Sequence, residues 1–242
     1  MSKEIFMHSR HADGPRLIAI GGGGFSNGAD PTLEDQLVRL AGGEVARIGF
    51  VGAASGDDPV KIESFHARFR ANVAHAEHLP MGLDAEDIHA RLARLDAVYF
   101  GGGNTLSLLQ YLQKRSLADI YSAAARQGLL LSGVSAGAIA WFDWALSDAT
   151  GHGLQPLQGL GVFKGSCCPH YSTEPERRRA FSDFLSDGRL PAGLAIDDGA
   201  AVLLEPDLPP RAWTARAGAW AYAVEYAGSS GGTITRSLAA MG

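Results

Sequence analysis

Cysteine is almost missing from this chain of 242 residues: there are two, Cys167 and Cys168, adjacent to each other. An adjacent pair offers no ordinary disulfide framework, and no CxxC spacing suits a structural metal, so the thiol usage fits a reducing compartment. Long runs of one charge are lacking too. With a formal net charge of −5 and a pI near 5.9, the chain has no electrostatic pull towards phosphate backbones, which argues against a nucleic-acid partner. No segment approaches the eighteen apolar residues of a membrane span, and residues 1–14 contain no apolar stretch of signal-peptide length. A soluble, cytoplasmic protein without membrane contact is expected.

What is present is an ordinary globular balance, 46 % hydrophobic and 19 % charged residues, which excludes the class that stays disordered. The length suits one domain over residues 1–242, with residues 1–14 as a loosely held leader and residues 229–242 as a loosely held tail. Glycine is abundant, at 31 residues, and clusters directly after apolar runs, where a chain turns sharply or approaches a ligand.

Those runs have strand length and alternate with helical spacing, the signature of an α/β fold with a mainly parallel sheet. Arg16–Ile20 meets Gly21–Gly24, and Asp30-Pro31 then reads as a helix start. Arg47–Val51 meets Gly52–Gly56, and Asp58-Pro59 repeats the signal. Further strands are expected near His75–Leu79 and at Ala97–Phe100, the latter meeting Gly101–Asn104 and a helix with Leu106, Leu109 and Leu112. Leu129–Ser132 leads into Gly133-Val-Ser135-Ala-Gly137 and an apolar helix reaching Trp141. From Gly193 on, four strand-like runs with little helix between them predict an antiparallel finish to the sheet. Loops 21–24, 52–56, 101–104 and 133–137 should converge on one crevice, because ligands of open parallel sheets bind beyond the carboxyl ends of the strands.

Gly133–Gly137 matches G-x-S-x-G in the context that the mechanism demands, between strand and helix, which makes Ser135 a candidate nucleophile. A plain glycine turn whose serine caps the helix is the alternative. Backbone N–H groups of the Gly101–Asn104 turn, with that of Ala136, could form an oxyanion site, and Asn104 could hold a substrate amine or carbonyl. A serine nucleophile needs a base, and histidine suits that work near neutrality. Of eight histidines, His170 follows a strand end closed by Pro169 and precedes a helix beginning at Thr173 or Glu174, at the crevice edge. His152 lies between two glycines in a loop.

Together the G-G-G-N turn, the G-x-S-A-G elbow some thirty residues later, and Pro169-His170-Tyr171 before a Glu/Arg-rich helix resemble the serine peptidase family of dipeptidase E and cyanophycinase. The likeness runs from Ala19 to Gly199. It implies a three-layer sandwich similar to class I glutamine amidotransferases, with serine replacing the nucleophilic cysteine. It places the nucleophile on Ser135, the base on His170 and the oxyanion donors on Gly103 and Ala136. The triad acid implied is Asp148, with Asp143, Glu174 and Asp198 open as alternatives. Arg177, Arg178 and Arg179 are candidates for reading an acidic N-terminal residue, with Arg178 and Glu174 assigned to substrate binding beside Asn104.

The expected activity is hydrolysis of a short peptide through an acyl-enzyme, with no cofactor and no metal. Besides the peptide, the partner allowed is a second copy of the chain in a homodimer. Two rivals stand. An esterase of the α/β-hydrolase type shares the elbow and the Ser, Asp, His order, but the histidine expected after its last strands is absent beyond His170. A non-catalytic protein could use the glycine turns to hold a small molecule.

Overall fold

The computed structural model describes residues 14–25, 28–30, 32–228 and 232–241. The first half alternates strands and helices. In order these are β1 (Arg16–Ile20), α1 (Asp35–Ala41), β2 (Arg47–Val51), α2 (Pro59–Phe69), β3 (His75–His78), α3 (Ala85–Leu92), β4 (Ala97–Phe100), α4 (Thr105–Lys114), α5 (Leu117–Arg126) and β5 (Leu130–Val134). There follow α6 (Ala136–Ile139), β6 (Phe142–Ser147), β7 (Gln155–Gln158), β8 (Phe163–Cys168) and α7 (Pro175–Ser186). The chain closes with β9 (Gly193–Ile196), β10 (Ala200–Leu204), β11 (Arg211–Thr214), β12 (Ala221–Tyr226), β13 (Thr233–Ser237) and β14 (Ala239–Ala240).

The eight-stranded sheet has the order β14-β11-β10-β1-β5-β4-β2-β3, and β1, β5, β4, β2 and β3 run parallel within it. Its inner strands β1, β5, β4 and β2 are buried on both faces, as a sheet covered on both sides requires. Ile18, Ile20, Ile48, Phe50 and Tyr99 share one cluster with Leu37 of α1 and Phe65 and Phe69 of α2. The alternate residues Leu17, Ala19, Val98 and Phe100 share another with Leu108 and Leu112 of α4 and Tyr121 of α5. Two helical layers around one mainly parallel sheet result, the three-layer α/β class expected. Local signals start the helices: Asp58, Asp84 and Asn104 each accept from a backbone N–H of the first turn, at Val60, Asp87 and Ser107.

Four expectations change. The helix after Ser135 is only four residues long, and Phe142–Ser147 is a strand rather than its continuation. Trp141 is instead fully buried against Phe100, with ring centroids 4.8 Å apart, where burial outweighs further helix propagation. The late strands do not form a single antiparallel finish. β10 extends the first sheet antiparallel to β1 and β11 pairs antiparallel to β10, whereas β9 and β12 enter a second sheet of order β13-β12-β9-β8-β6-β7, in which β9 lies parallel to β8. Within the expected tail, β13 pairs with β12 over five residues and β14 pairs with β11, so these residues belong to the sheets. Residues 1–13, like Pro31, lie outside the described residues. The helix that Asp30-Pro31 was expected to open begins at Asp35.

Glu34 lies just before α1 and is fully buried. One carboxylate oxygen accepts from Phe25 N at 3.1 Å, at the end of the loop that leaves β1. Burial pushes its carboxyl up from 4.5 to about 7, against the smaller opposing pull of the Phe25 hydrogen bond and Arg68. A raised carboxyl is neutral in both folded and unfolded states below about 4.5. Ionisation of the unfolded chain alone then erodes stability up to about pH 7. Between pH 4.5 and pH 8 the wild type should therefore lose about 3 kcal/mol that Glu34→Gln retains. Denaturant titrations of both proteins across that range measure it, and parallel curves would refute it.

Candidate active site

Ser135 leaves β5 with φ 50 and ψ −115, a conformation that non-glycine residues rarely adopt and that must be held by its surroundings. What holds it is the end of the sheet: Ser135 N donates to Ile20 O of β1 at 2.9 Å, and Ile139 N closes the first turn of α6 on Ser135 O. The elbow glycine Gly137 is packed so closely that a Cβ there would stand 2.1 Å from Phe100 O of β4. A side chain at that position would force β4 and the elbow apart.

His170 follows β8 at the same end of the molecule and also has a positive φ, 54. Tyr171 N donates to Ile196 O of β9, and Glu174 N returns to His170 O, so the turn is tied both to β9 and to the start of α7. The imidazole then bridges two groups. Its Nε2 lies 2.8 Å from Ser135 Oγ, and its Nδ1 lies 2.6 Å from Asp198 Oδ1. The side chains of His170 and Asp198 are 19 % and 16 % exposed, sheltered but open to a small ligand.

The carboxylate at His170 is thus Asp198, not Asp148. Asp148 is 70 % exposed, and its nearest ionic partner is Arg177 at 3.9 Å. The turn after β6 carries it away from the imidazole. Asp143 binds Gly165 N and Lys164, and Glu174 binds Arg177 Nε. Asp198 sits where β9 ends: its backbone bridges to Gly22, and Gly199 N donates to Gly22 O at 2.9 Å. A Cβ on Gly22 would stand 2.0 Å from Asp198 Oδ1 and 2.6 Å from His170 Nδ1, so the first glycine loop forms the floor beneath the pair. Burial alone would raise the Asp198 carboxyl. Hydrogen bonds from His170 and Thr173 and the positive charges of His170 and Arg216 together outweigh it and hold the group below its ordinary value. A depressed carboxyl contributes stability above its unfolded value, and that contribution is lost as pH falls through the folded one.

Among the remaining expected residues, Gly102 abuts the nucleophile, its added Cβ falling 3.6 Å from Ser135 Cβ. The glycine turn bearing Gly103 is thereby brought beside the Ala136 end of the elbow. Asn104 caps α4, and its amide donates to Ala149 O, so both ends of the side chain have structural partners. Glu174 is likewise engaged, with Arg177, whose guanidinium is buried and also donates to Leu146 O. Arg179 is exposed and lies 3.7 Å from Asp183. Arg178 donates to Ser172 Oγ and stacks over the Tyr171 ring at 4.9 Å, immediately beyond His170. Burial pushes both cysteine thiols up, which disfavours either as a nucleophile. Among the described residues no group of three or more His, Cys, Asp or Glu could hold a metal ion, and no helix is long and apolar enough to cross a membrane.

Comparison with known proteins decides the family, because the sequence model described as peptidase family S51 matches residues 17–208, from β1 to the loop after β10. The chain belongs to peptidase family S51. It is a serine peptidase. Among curated relatives of this S51 chain, an uncharacterized peptidase, YgaJ, from Bacillus subtilis (strain 168) is 36 % identical over 211 residues, covering 86 % of this chain and 91 % of that protein. Peptidase E of Streptomyces coelicolor (strain ATCC BAA-471 / A3(2) / M145) is 29 % identical over 185 residues, covering 67 % and 69 %. Two solved structures share the fold at lower identity. A peptidase from an acI-B1 actinobacterium superposes with TM-score 0.67 at 17 % identity, covering 94 % of this chain and 95 % of that one. A peptidase E protein from Listeria monocytogenes EGD-e superposes with TM-score 0.63 at 15 % identity, covering 83 % and 98 %.

Proposed function

We propose that this S51 peptidase is an exopeptidase that cleaves short peptides through an acyl-enzyme, with Ser135, His170 and Asp198 as its triad. The observation that carries the reading is the continuous hydrogen-bonded line from Ser135 Oγ through the imidazole to Asp198, at 2.8 and 2.6 Å. Ser135 Oγ attacks the peptide carbonyl carbon while its proton passes to His170 Nε2. Asp198 accepts from Nδ1–H, which fixes the tautomer and stabilises the imidazolium. The N–H groups of Gly103 and Ala136 receive the oxyanion. The C–N bond then breaks as His170 returns the proton to the leaving amine, and a water molecule, deprotonated by the same imidazole, releases the acid.

The reading predicts that a fluorophosphonate labels one residue, Ser135, as located by peptide mass mapping, and that labelling abolishes dipeptide hydrolysis. An unlabelled, folded chain would rule the hydrolase out.

An acidic N-terminal preference is the specific form that we favour, with Arg178 as the reader of the substrate carboxylate. Arg177 is buried with its own partners and Arg179 faces Asp183. No carboxylate among the described residues pairs with Arg178, leaving its fork available for a bidentate contact. Arg178→Met should remove any preference for Asp-Leu over Asn-Leu and raise KM for the former by about tenfold, the loss of one exposed charge-assisted contact. Equal discrimination by both proteins would reassign the pocket.

A further inference from the structure

A lysine outside the triad is hydrogen-bonded to the glycine turn beside the nucleophile. Lys61 Nζ donates to the carbonyl oxygen of Gly102 at 2.8 Å. That carbonyl belongs to the same peptide unit as the N–H of Gly103. We infer that Lys61 is a positioning residue for the oxyanion site, holding the Gly102–Gly103 peptide so that the Gly103 N–H is aimed and strengthened as a donor. The inference rests on the hydrolase reading above.

The physical reason lies in the rigidity of the peptide unit. Its six atoms are nearly coplanar, with C=O and N–H pointing in opposite directions, so fixing the oxygen fixes the direction of the hydrogen. An ammonium on the oxygen also draws electron density out of the C–N system, which makes the N–H a better donor, and charge-assisted bonds of this kind are about twice as strong as neutral ones. The peptide needs such a restraint because it joins two glycines, the residues with the widest backbone freedom. Gly103 has φ +149, and a Cβ there would stand 2.2 Å from Ala54 O. On the far side, Asn104 N donates to Ala54 O at 2.8 Å. The turn is therefore tied at its ends to Val51 O, through Gly101 N, and to Ala54 O, and it is Lys61 that holds the peptide carrying the donor.

The position of Lys61 in its own helix supports the same conclusion. It is the third residue of α2; the N-cap Asp58 is acidic but its carboxylate is taken up by Val60 N, and the first turn itself contains no acidic residue. A cation is unfavourable at the positive end of a helix dipole. No carboxylate among the described residues forms an ion pair with it, so local helix energetics do not account for a lysine here, whereas the bond to Gly102 does.

The test uses the full chain and compares wild type, Lys61→Met and Lys61→Arg. Lys61→Met should lower kcat for dipeptide hydrolysis, and the rate of fluorophosphonate labelling of Ser135, by about ten- to a hundredfold. That is a fraction of the 10²- to 10³-fold loss that follows removal of an oxyanion donor. KM and the thermal midpoint should stay at wild-type values, and Lys61→Arg should recover most of the rate, since it keeps a charged donor. Should Lys61→Met fold poorly, Lys61→Leu carries the same expectation, because it too removes both the donor and the charge. Wild-type kcat in the neutral variants would overturn the inference while leaving the hydrolase reading intact, as would a loss confined to KM or to stability. A wild-type protein that neither labels nor hydrolyses would overturn both.

Discussion

Asp198→Asn is expected to lower kcat by about 10⁴-fold, whereas Asp148→Asn leaves it at the wild-type level. The magnitude follows from the tautomer. A carboxylate at Nδ1 accepts a hydrogen bond from Nδ1–H and so keeps Nε2 free to take the serine proton. A carboxamide can present its NH₂ to Nδ1 instead, which places the ring hydrogen on Nε2, where it faces Ser135 Oγ and cannot receive a proton. Asp198 is in position for this, 2.6 Å from Nδ1, and Asp148 is not, with its carboxylate in solvent near Arg177. Steady-state kinetics on the two variants, with thermal melts to confirm folding, separate the assignments. A deeply impaired Asp148→Asn beside a healthy Asp198→Asn would reverse the assignment made here.

The second large effect should come from a residue with no chemistry of its own. Gly22→Ala adds one methyl group, yet that carbon would stand 2.0 Å from Asp198 Oδ1 and 2.6 Å from His170 Nδ1. Both belong to the relay, so the strain cannot be relieved by a flexible bystander. Either the imidazole or the carboxylate has to move, and misplacement of reacting groups by about 1 Å costs on the order of 10²-fold in rate. The backbone of Gly22 does not require a positive φ, so the cost is steric rather than conformational. Stability should fall by about 1–3 kcal/mol, the usual range for overpacking. The expected result is thus a folded protein with kcat reduced about a hundredfold and slow fluorophosphonate labelling. Wild-type kcat in Gly22→Ala would show that the loop yields more readily than its contacts imply.

Much of the first sheet was readable one segment at a time. Arg16–Ile20, Arg47–Val51 and Ala97–Phe100 are apolar runs cut off by glycine, and each is a strand with those boundaries, because a strand buried on both faces leaves a continuous apolar record. Ser135 was legible for a related reason: the elbow is a local motif, with its strand before it and its helix after it. His170 was singled out among eight histidines because proline and a helix start bracket it, and its Nε2 lies 2.8 Å from Ser135 Oγ. The late strands were legible as strands but not as members of particular sheets. Whether Gly193–Ile196 or Ala200–Leu204 pairs with β1 depends on partners far away in the chain, and neither run carries a local mark of that choice.

The acid shows most clearly where sequence reading stops. Asp197-Asp198-Gly199 has the composition of a turn, and Gly199 with φ 77 does make one. Nothing local distinguishes a turn that also supplies a carboxylate from one that does not. The resemblance to dipeptidase E pointed to Asp148, but the four-residue α6 and the strand after it carry that residue away from the imidazole.

From the chain alone came the α/β class, the apolar strands, the strained serine turn and the histidine beside it, because each is written in neighbouring residues whose propensities and spacing act over a few ångströms. Tertiary structure alone decided that Asp198 completes the hydrogen-bonded line, that Gly22 lies beneath it and that Lys61 grips the Gly102 carbonyl. These are contacts between segments 28 to 176 residues apart, and they exist only once two sheets and their helices have packed against one another.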